Sequence, residues 1–303
     1  LGSLTPKLHR RVVHQALKVV DNNFDDSLPV EIKRNLGYPS RIQAITDTHF
    51  PPAGIALDAL NEFRTPAQER LIFEEFFFFQ TGLNLRRREL VRKKKEHSVK
   101  VDDRIRAAAL EVLPFRLTGH QRLALKEIVS DLTKPEPMRR LLQGDVGSGK
   151  TIVAILAALV AMENGLQVVL MSPTELLAEQ HFTSLNQVLG RSRFAVSLLT
   201  GATAGKKRKR VAERIEDGSI QFVVGTHALL QEDIAFQHLG LVIIDEQHRF
   251  GVAQRAALGA KGVRPDVLVM TATPIPRTLA LTVYGDLEVS NIRELPPGRR
   301  PIL

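Results

Sequence analysis

The octapeptide Gly144-Asp145-Val146-Gly147-Ser148-Gly149-Lys150-Thr151 matches the pattern G-x-x-x-x-G-K-[ST] at every fixed position. It follows the short apolar pair Leu141-Leu142 and runs into an apolar, helix-compatible stretch from Ile152 to Ala161. A loop of this kind needs a strand before it and a helix N-terminus after it, so it commits the region to an α/β architecture. The glycines let the backbone curl until successive N–H groups face phosphate oxygens, and the positive end of the helix dipole adds to the attraction. Lys150 suits the β- and γ-phosphates of a nucleoside triphosphate, and the Thr151 hydroxyl suits a Mg²⁺ ion.

Around that loop the pattern is one of short apolar runs separated by helix-length segments. The runs are Val168 to Met171, Val196 to Leu199, Phe222 to Val224, Leu241 to Ile244 and Val267 to Met270. Each is apolar throughout, as strands covered on both faces must be. This spacing predicts a mostly parallel sheet with right-handed crossovers and a ligand rim at the carboxyl ends of its strands.

Residues up to about Pro114 read differently, as an all-helical region. Thr5-Pro6 is a helix cap with a first-turn proline, and Leu8, Val12, Val13, Ala16, Leu17 and Val20 follow at helical spacing. Two short helices are predicted from Pro29 to Leu36 and from Arg41 to Thr48. Thr65-Pro66-Ala67-Gln68 forms a capping box before a long helix reaching about Lys95. Phe76 to Phe79 cover most of that helix's circumference, which predicts packing on more than one side. Its basic end, Arg86 to Arg88 and Arg92 to Lys95, reads equally as a solvated face or as a phosphate-contacting stripe. Lys206 to Arg210 poses the same choice, with the solvated face preferred. The expected division is a helical connector over 1–114 and a nucleotide-binding lobe over 115–303.

The 303 residues carry a net charge of +9, which favours an anionic partner. There is no cysteine, which excludes a disulfide framework and a thiolate metal site. No apolar run approaches the ~18 residues of a membrane span, and no signal peptide opens the chain. Leu1-Gly2-Ser3 stands where a methionine would begin a gene product, so the chain reads as an excised fragment.

The candidate chemistry sits immediately after the apolar runs. Asp245 and Glu246 end the run from Leu241. There Asp245 can reach Mg²⁺ while Glu246, offset by one residue, can orient or deprotonate an attacking water. With Lys150 they form the candidate catalytic set. Thr271, Ala272 and Thr273 follow the run from Val267, and the two threonine hydroxyls can bond the Asp245/Glu246 segment and relay the state of the γ-phosphate. Pro173-Thr174, Thr200-Gly201 and Gly225-Thr226-His227 follow three other runs. They offer hydroxyls and backbone N–H groups without bulk, suited to a sugar-phosphate backbone. Upstream of the phosphate loop, Phe115 can stack on a base, while Thr118 begins a helix whose Gln121 can pair with an adenine edge.

In order and spacing, GDVGSGKT, PTELLAEQ, LLTG, GTHALLQ, DEQHRFG and TATPIPRTLA resemble motifs I to III of superfamily-two helicases. The wording from Asp245 to Val252, from Thr271 to Ala280, of Tyr284 to Leu287 and of Glu294 to Arg299 is similar to the RecG type, as are His49 to Pro51 and Arg70-Leu71 with Glu74-Glu75. The resemblance implies a RecA-like first motor lobe using ATP and Mg²⁺. It implies nucleotide contacts from Phe115, Thr118, Gln121, Gly144, Gly147, Ser148, Gly149, Lys150 and Thr151, with metal contacts from Thr151 and Asp245. DNA contacts are implied at Pro173, Thr174, Thr200, Gly201, Gly225, Thr226 and His227, and coupling through Gln247, His248 and Thr271 to Thr273. The implied partner is branched or forked DNA in recombination and repair. A monomer in the bacterial cytoplasm near the nucleoid is expected, with no membrane association. A wedge domain and a second motor lobe carrying an arginine finger are expected elsewhere in the intact protein. The isolated chain is therefore expected to bind ATP, to hydrolyse it poorly and not to unwind DNA. Two other readings stay open: a fragment of a transcription-repair coupling translocase of the Mfd type, and a DNA-binding module switched by nucleotide.

Overall fold

The computed structural model describes residues 5–20, 24–91, 94–113, 116–190, 192–203, 205–245, 264–273 and 287–294. The chain divides into two compact units, residues 1–85 and 86–303.

The first unit is helical: α1 (Pro6–Val19), α2 (Val30–Leu36), α3 (Arg41–His49), α4 (Leu57–Asn61) and most of α5 (Pro66–Val91). The caps form as their sequences require. Thr5 Oγ1 accepts from Leu8 N, and Thr65 and Gln68 satisfy each other's backbone N–H groups at the start of α5. Charge organises this unit as much as apolar packing does. Arg70 is fully buried and bonds Asp26 Oδ1 at 2.7 Å, the Pro39 carbonyl at 3.1 Å, and Glu74. Lys33 reaches Asp26 at 2.7 Å and Arg41 reaches Glu74 at 3.1 Å. Burial pushes the Asp26 and Glu74 carboxyls up. The opposing hydrogen bonds (from Lys33 to Asp26, from Ser27 and Arg70 to Glu74) prevail, and both stay below the usual carboxylate range. The phenylalanine run departs from expectation. Phe73 and Phe77 stack, but Phe76, Phe78 and Phe79 are 56%, 44% and 48% exposed, so three of the four aromatics point away from this unit's own core.

The second unit contains α6 (Asp103–Val112), α7 (Gly119–Leu132), β1 (Arg139–Gly144), α8 (Lys150–Glu163), β2 (Gln167–Met171), α9 (Glu175–Leu189), β3 (Val196–Leu199), α10 (Gly205–Glu216), β4 (Phe222–Gly225), β5 (Leu239–Asp245), β6 (Asp266–Thr271) and β7 (Glu288–Ile292). Its strands form one sheet in the order β3-β4-β2-β5-β6-β1-β7, with every pairing parallel. This is a RecA-like P-loop NTPase fold. Strands β2 and β4 are buried at every position, which is why their sequences carry no polar alternation. Helix α8 is buried from Ile152 to Met162 because α6 and α7 cover the side it turns away from the sheet. Val99 and Ile105 join that core, so the segment before the expected lobe boundary at 115 shares the core built around α8.

The N-terminal end of the sheet is pinned by charge. Lys95 Nζ, with a fully buried side chain, donates to both oxygens of buried Asp266 at 3.0 and 2.9 Å and to the Leu132 carbonyl at 2.7 Å. Asp266 also accepts from Met138 N at 2.6 Å and contacts His97 Nε2 at 3.1 Å. Lys95 thus belongs neither to a solvated face nor to a phosphate stripe; Arg92 and Lys93 lie outside the described residues. In the other basic run, Lys206, Lys207, Lys209 and Arg210 are exposed, while Arg208 pairs with Asp233 at 2.8 Å. That hydrogen bond raises the Arg208 pKa.

Candidate nucleotide site and nucleic-acid rim

Strand register brings the candidate residues together. Gln143 of β1 lies opposite Thr271 of β6, and Met270 of β6 lies opposite Asp245 of β5. The phosphate loop, the Thr271 turn and Asp245 therefore end three adjacent strands. At the usual strand spacing Asp245 stands about 10 Å across the rim from the end of β1.

The loop itself is built by local backbone geometry. Gly147 and Gly149 have φ of 77° and 86°, in the left-handed region open to glycine. Ser148 N donates to the Asp145 carbonyl at 3.0 Å, closing the turn. The first intrahelical bond of α8 runs from Val153 N to Gly149 O, so the N–H groups of Thr151 and Ile152 lie in the outward-facing first turn. Lys150 Nζ folds back to the carbonyls of Gly144 and Asp145 at 2.7 and 3.0 Å, spanning the mouth of the loop. The set of a cation, a hydroxyl, a helix N-terminus and a facing carboxylate fits a nucleotide polyphosphate with its divalent ion. Among the described residues no cluster of three or more His, Asp or Glu could hold a metal unaided. A Mg²⁺ ion shared between phosphates and one or two protein oxygens needs no such cluster.

Gln121 sits against this loop. Its Oε1 accepts from Thr118 N at 2.9 Å in a capping box, and its Nε2 donates to the Ser148 carbonyl at 2.8 Å. The residue is 2% exposed, so both ends of the amide are engaged by backbone here. Beside it, Glu294 accepts from His120 N at 3.2 Å, while the Glu294 N–H donates to His120 Nδ1 at 3.1 Å. The hydrogen bond from His120 N holds the Glu294 carboxyl below its ordinary value.

On the other half of the rim, β2, β4 and β3 end side by side: Met171 lies opposite Gly225, and Gly225 opposite Leu199. Pro173-Thr174, Gly225-Thr226-His227 and Thr200-Gly201 are therefore neighbours. Thr174 Oγ1 caps α9 by accepting from Leu177 N, and Glu175 accepts from Ala202 N at 2.9 Å, tying α9 to the loop after β3. The hydroxyls of Ser148, Ser172 and Thr226 are buried, with no hydrogen-bond partner among the described residues. All three lie at the carboxyl ends of strands or in the phosphate loop. Among the described residues the Thr271 and Thr273 hydroxyls bond each other at 2.8 Å; Glu246, part of the Asp245/Glu246 segment they are expected to bond, lies outside those residues. Asp245 has a partner that sequence spacing did not reveal: His181 Nε2 on α9, at 2.7 Å. Phe115, Glu246, Gln247 and His248 lie outside the described residues.

Residues 118–282 match the family model of the DEAD/DEAH box helicases. The chain belongs to that family. The ATP-dependent DNA helicase RecG of Aquifex aeolicus is 44% identical over 309 residues, spanning all of this chain and 39% of the relative. The same-named protein of a Synechocystis species is 49% identical, spanning 92% of this chain and 33% of the relative. A solved structure of RecG bound to a three-way DNA junction superposes with a TM-score of 0.81 at 38% identity, over 99% of this chain and 39% of that one. This DEAD/DEAH box chain therefore spans about two fifths or less of the length of these relatives. Among the described residues no helix is long and apolar enough to cross a membrane.

Proposed function

We propose that this chain is the ATP-binding motor lobe of a DNA helicase that acts on branched DNA. The observation that carries this reading is the register of the rim: phosphate loop, Thr271 turn and Asp245 on three neighbouring strands, continued by the loops after β2, β4 and β3. Nucleotide and nucleic-acid sites then share one sheet edge, with Asp245 between them. The chain's similarity to RecG relatives along its full length supports DNA as the polymer and branched DNA as its form.

In this reading Lys150 and the first turn of α8 bind the polyphosphate, and Thr151 and Asp245 hold Mg²⁺. The ion supplies charge neutralisation at the γ-phosphate when bound. Glu246 orients the attacking water, and Gln247, His248 and the Thr271 to Thr273 turn pass the state of the site along the rim. Gln121 with Thr118 and Phe115 takes the base, which requires its Nε2 to leave the Ser148 carbonyl. The unpartnered hydroxyls of Ser172 and Thr226, with Thr174, Thr200 and the N–H groups near Gly201, Gly225 and His227, receive DNA phosphates.

The test is binding of a fluorescent ATP analogue to the chain and to its Lys150→Ala variant, followed by ATPase assays of the whole protein on forked, duplex and single-stranded DNA. Loss of binding in the variant and greatest stimulation by forked DNA are expected. Equal binding by both chains would remove the nucleotide assignment. Stimulation by plain duplex equal to that by forks would replace branched DNA with the duplex tracking of a coupling translocase.

A further inference from the structure

We infer that His181 is a positioning residue for the metal carboxylate, an assignment that rests on the reading of Asp245 as a Mg²⁺ ligand. His181 lies on α9, the helix that follows β2, and its Nε2 approaches Asp245 Oδ2 at 2.7 Å with side chains only 12% and 13% exposed. One carboxylate oxygen is thereby committed to an N–H donor, and Oδ1, which has no partner among the described residues, is left for the ion or for a water on it. A carboxylate at a strand end otherwise turns about its terminal bond, so the imidazole fixes the plane in which the free oxygen is offered. Groups standing behind a metal ligand in this way commonly contribute 10- to 100-fold in metal affinity or activity.

The position of the imidazole is itself constrained. Thr174 caps the start of α9, Glu175 in its first turn bonds Ala202 N, and Ala178, Leu185 and Leu189 bury its inner face. His181 thus stands on a helix held at its first turn by the rim and along its length by the core. The same helix borders the proposed DNA track and supports the proposed metal site, without His181 touching nucleotide or DNA.

The experiment uses the 303-residue chain and a fluorescent ATP analogue, titrated without Mg²⁺ (in EDTA) and then with Mg²⁺ at fixed nucleotide. For His181→Ala the Mg²⁺ midpoint is expected to rise about 10-fold or more, with Mg²⁺-free affinity changed less than about twofold. His181→Gln, whose Nε2 reaches the same space, should recover most of the midpoint. An unchanged midpoint in His181→Ala, beside a normal Mg²⁺ response in the parent chain, overturns the assignment. So does an equal loss of affinity with and without Mg²⁺ accompanied by a lowered melting temperature in both variants, since that is what a purely structural residue would show. A parent chain that binds nucleotide with no Mg²⁺ dependence would instead overturn the metal reading of Asp245, and this assignment with it.

Discussion

Substituting Lys95 by methionine removes a buried cation of similar length and leaves Asp266 with two donors, Met138 N at 2.6 Å and His97 Nε2 at 3.1 Å. Breaking a buried pair from one side commonly costs about 3–5 kcal/mol, because the other charge stays buried. The two remaining donors place Lys95→Met near 3 kcal/mol. Asp266→Leu is the harsher change: it strands the Lys95 ammonium beside the Leu132 carbonyl alone and orphans the Met138 N–H, adding about 1–3 kcal/mol. A unit of roughly 200 residues shifts its melting temperature about 2–4 °C per kcal/mol, so Lys95→Met should lower it by about 6–12 °C. The double variant should be less destabilised than the sum of the singles, since neither charge is left unpaired. Calorimetry or circular dichroism suits the measurement, because the chain has no tryptophan. The loss should persist in 1 M salt, which screens exposed pairs far more than buried ones. A shift for Lys95→Met below about 1 kcal/mol, or single effects that simply add, would refute the reasoning. The outcome also bears on any DNA-binding test by charge reversal across Arg92 to Lys95: at Lys95 such a change perturbs the sheet before it perturbs DNA.

Three further outcomes follow from the same geometry. Gly149→Ala forces a side chain into φ 86° and towards the Gln121 amide, which should cost about 1–3 kcal/mol of stability and weaken binding of a fluorescent ATP analogue; unchanged binding would argue against the loop as the phosphate cradle. Gln121→Ala removes one arm of the capping box and the brace on the Ser148 carbonyl, and urea unfolding should report a loss of about 0.5–2 kcal/mol. Asp26 and Glu74 are held below their ordinary values of 3.8 and 4.5, so they bind protons more readily unfolded than folded. Their contribution to the first unit should be complete above about pH 5 and fade as pH falls through those values towards the lower folded ones; acid titration by circular dichroism should show that loss in the parent chain and a smaller one in Asp26→Asn.

The parts legible in sequence are those whose physics is local or strongly periodic. The phosphate loop is read from eight consecutive residues because its work is done by backbone geometry at Gly147 and Gly149. The apolar runs at 168–171 and 222–224 appear as strands because burial on both faces leaves no room for polar alternation. Strand β7 escapes that filter: Glu288, Ser290 and Asn291 give it no apolar run. It is anchored by Ser290 bonding Arg140 at 2.8 Å and by its parallel pairing with β1. The sequence reading gives Gln121 an adenine edge, whereas the structure engages it in a capping box with Thr118 and on the Ser148 carbonyl 27 positions away. His181 and Asp245 are 64 residues apart, and Lys95 and Asp266 are 171 apart, so no spacing rule reaches either pair.

The two ends of the sheet differ in how their polar groups are satisfied. At the N-terminal end Asp266 is saturated by Lys95, His97 and Met138 N, and a further charged group there, Arg140, is matched by Asp131, Glu127 and Ser290. At the carboxyl end the hydroxyls of Ser148, Ser172 and Thr226 are buried without partners among the described residues. Leaving a buried hydroxyl unpaired costs about 1–3 kcal/mol, so the rim carries an unfavourable contribution that the N-terminal end does not. That asymmetry separates two kinds of polar residue which look alike in sequence. A charge with a complete set of partners, such as Lys95, holds the fold. Under the proposed function, a polar group left wanting at a strand end is one whose partner a ligand-driven rearrangement of the rim would supply.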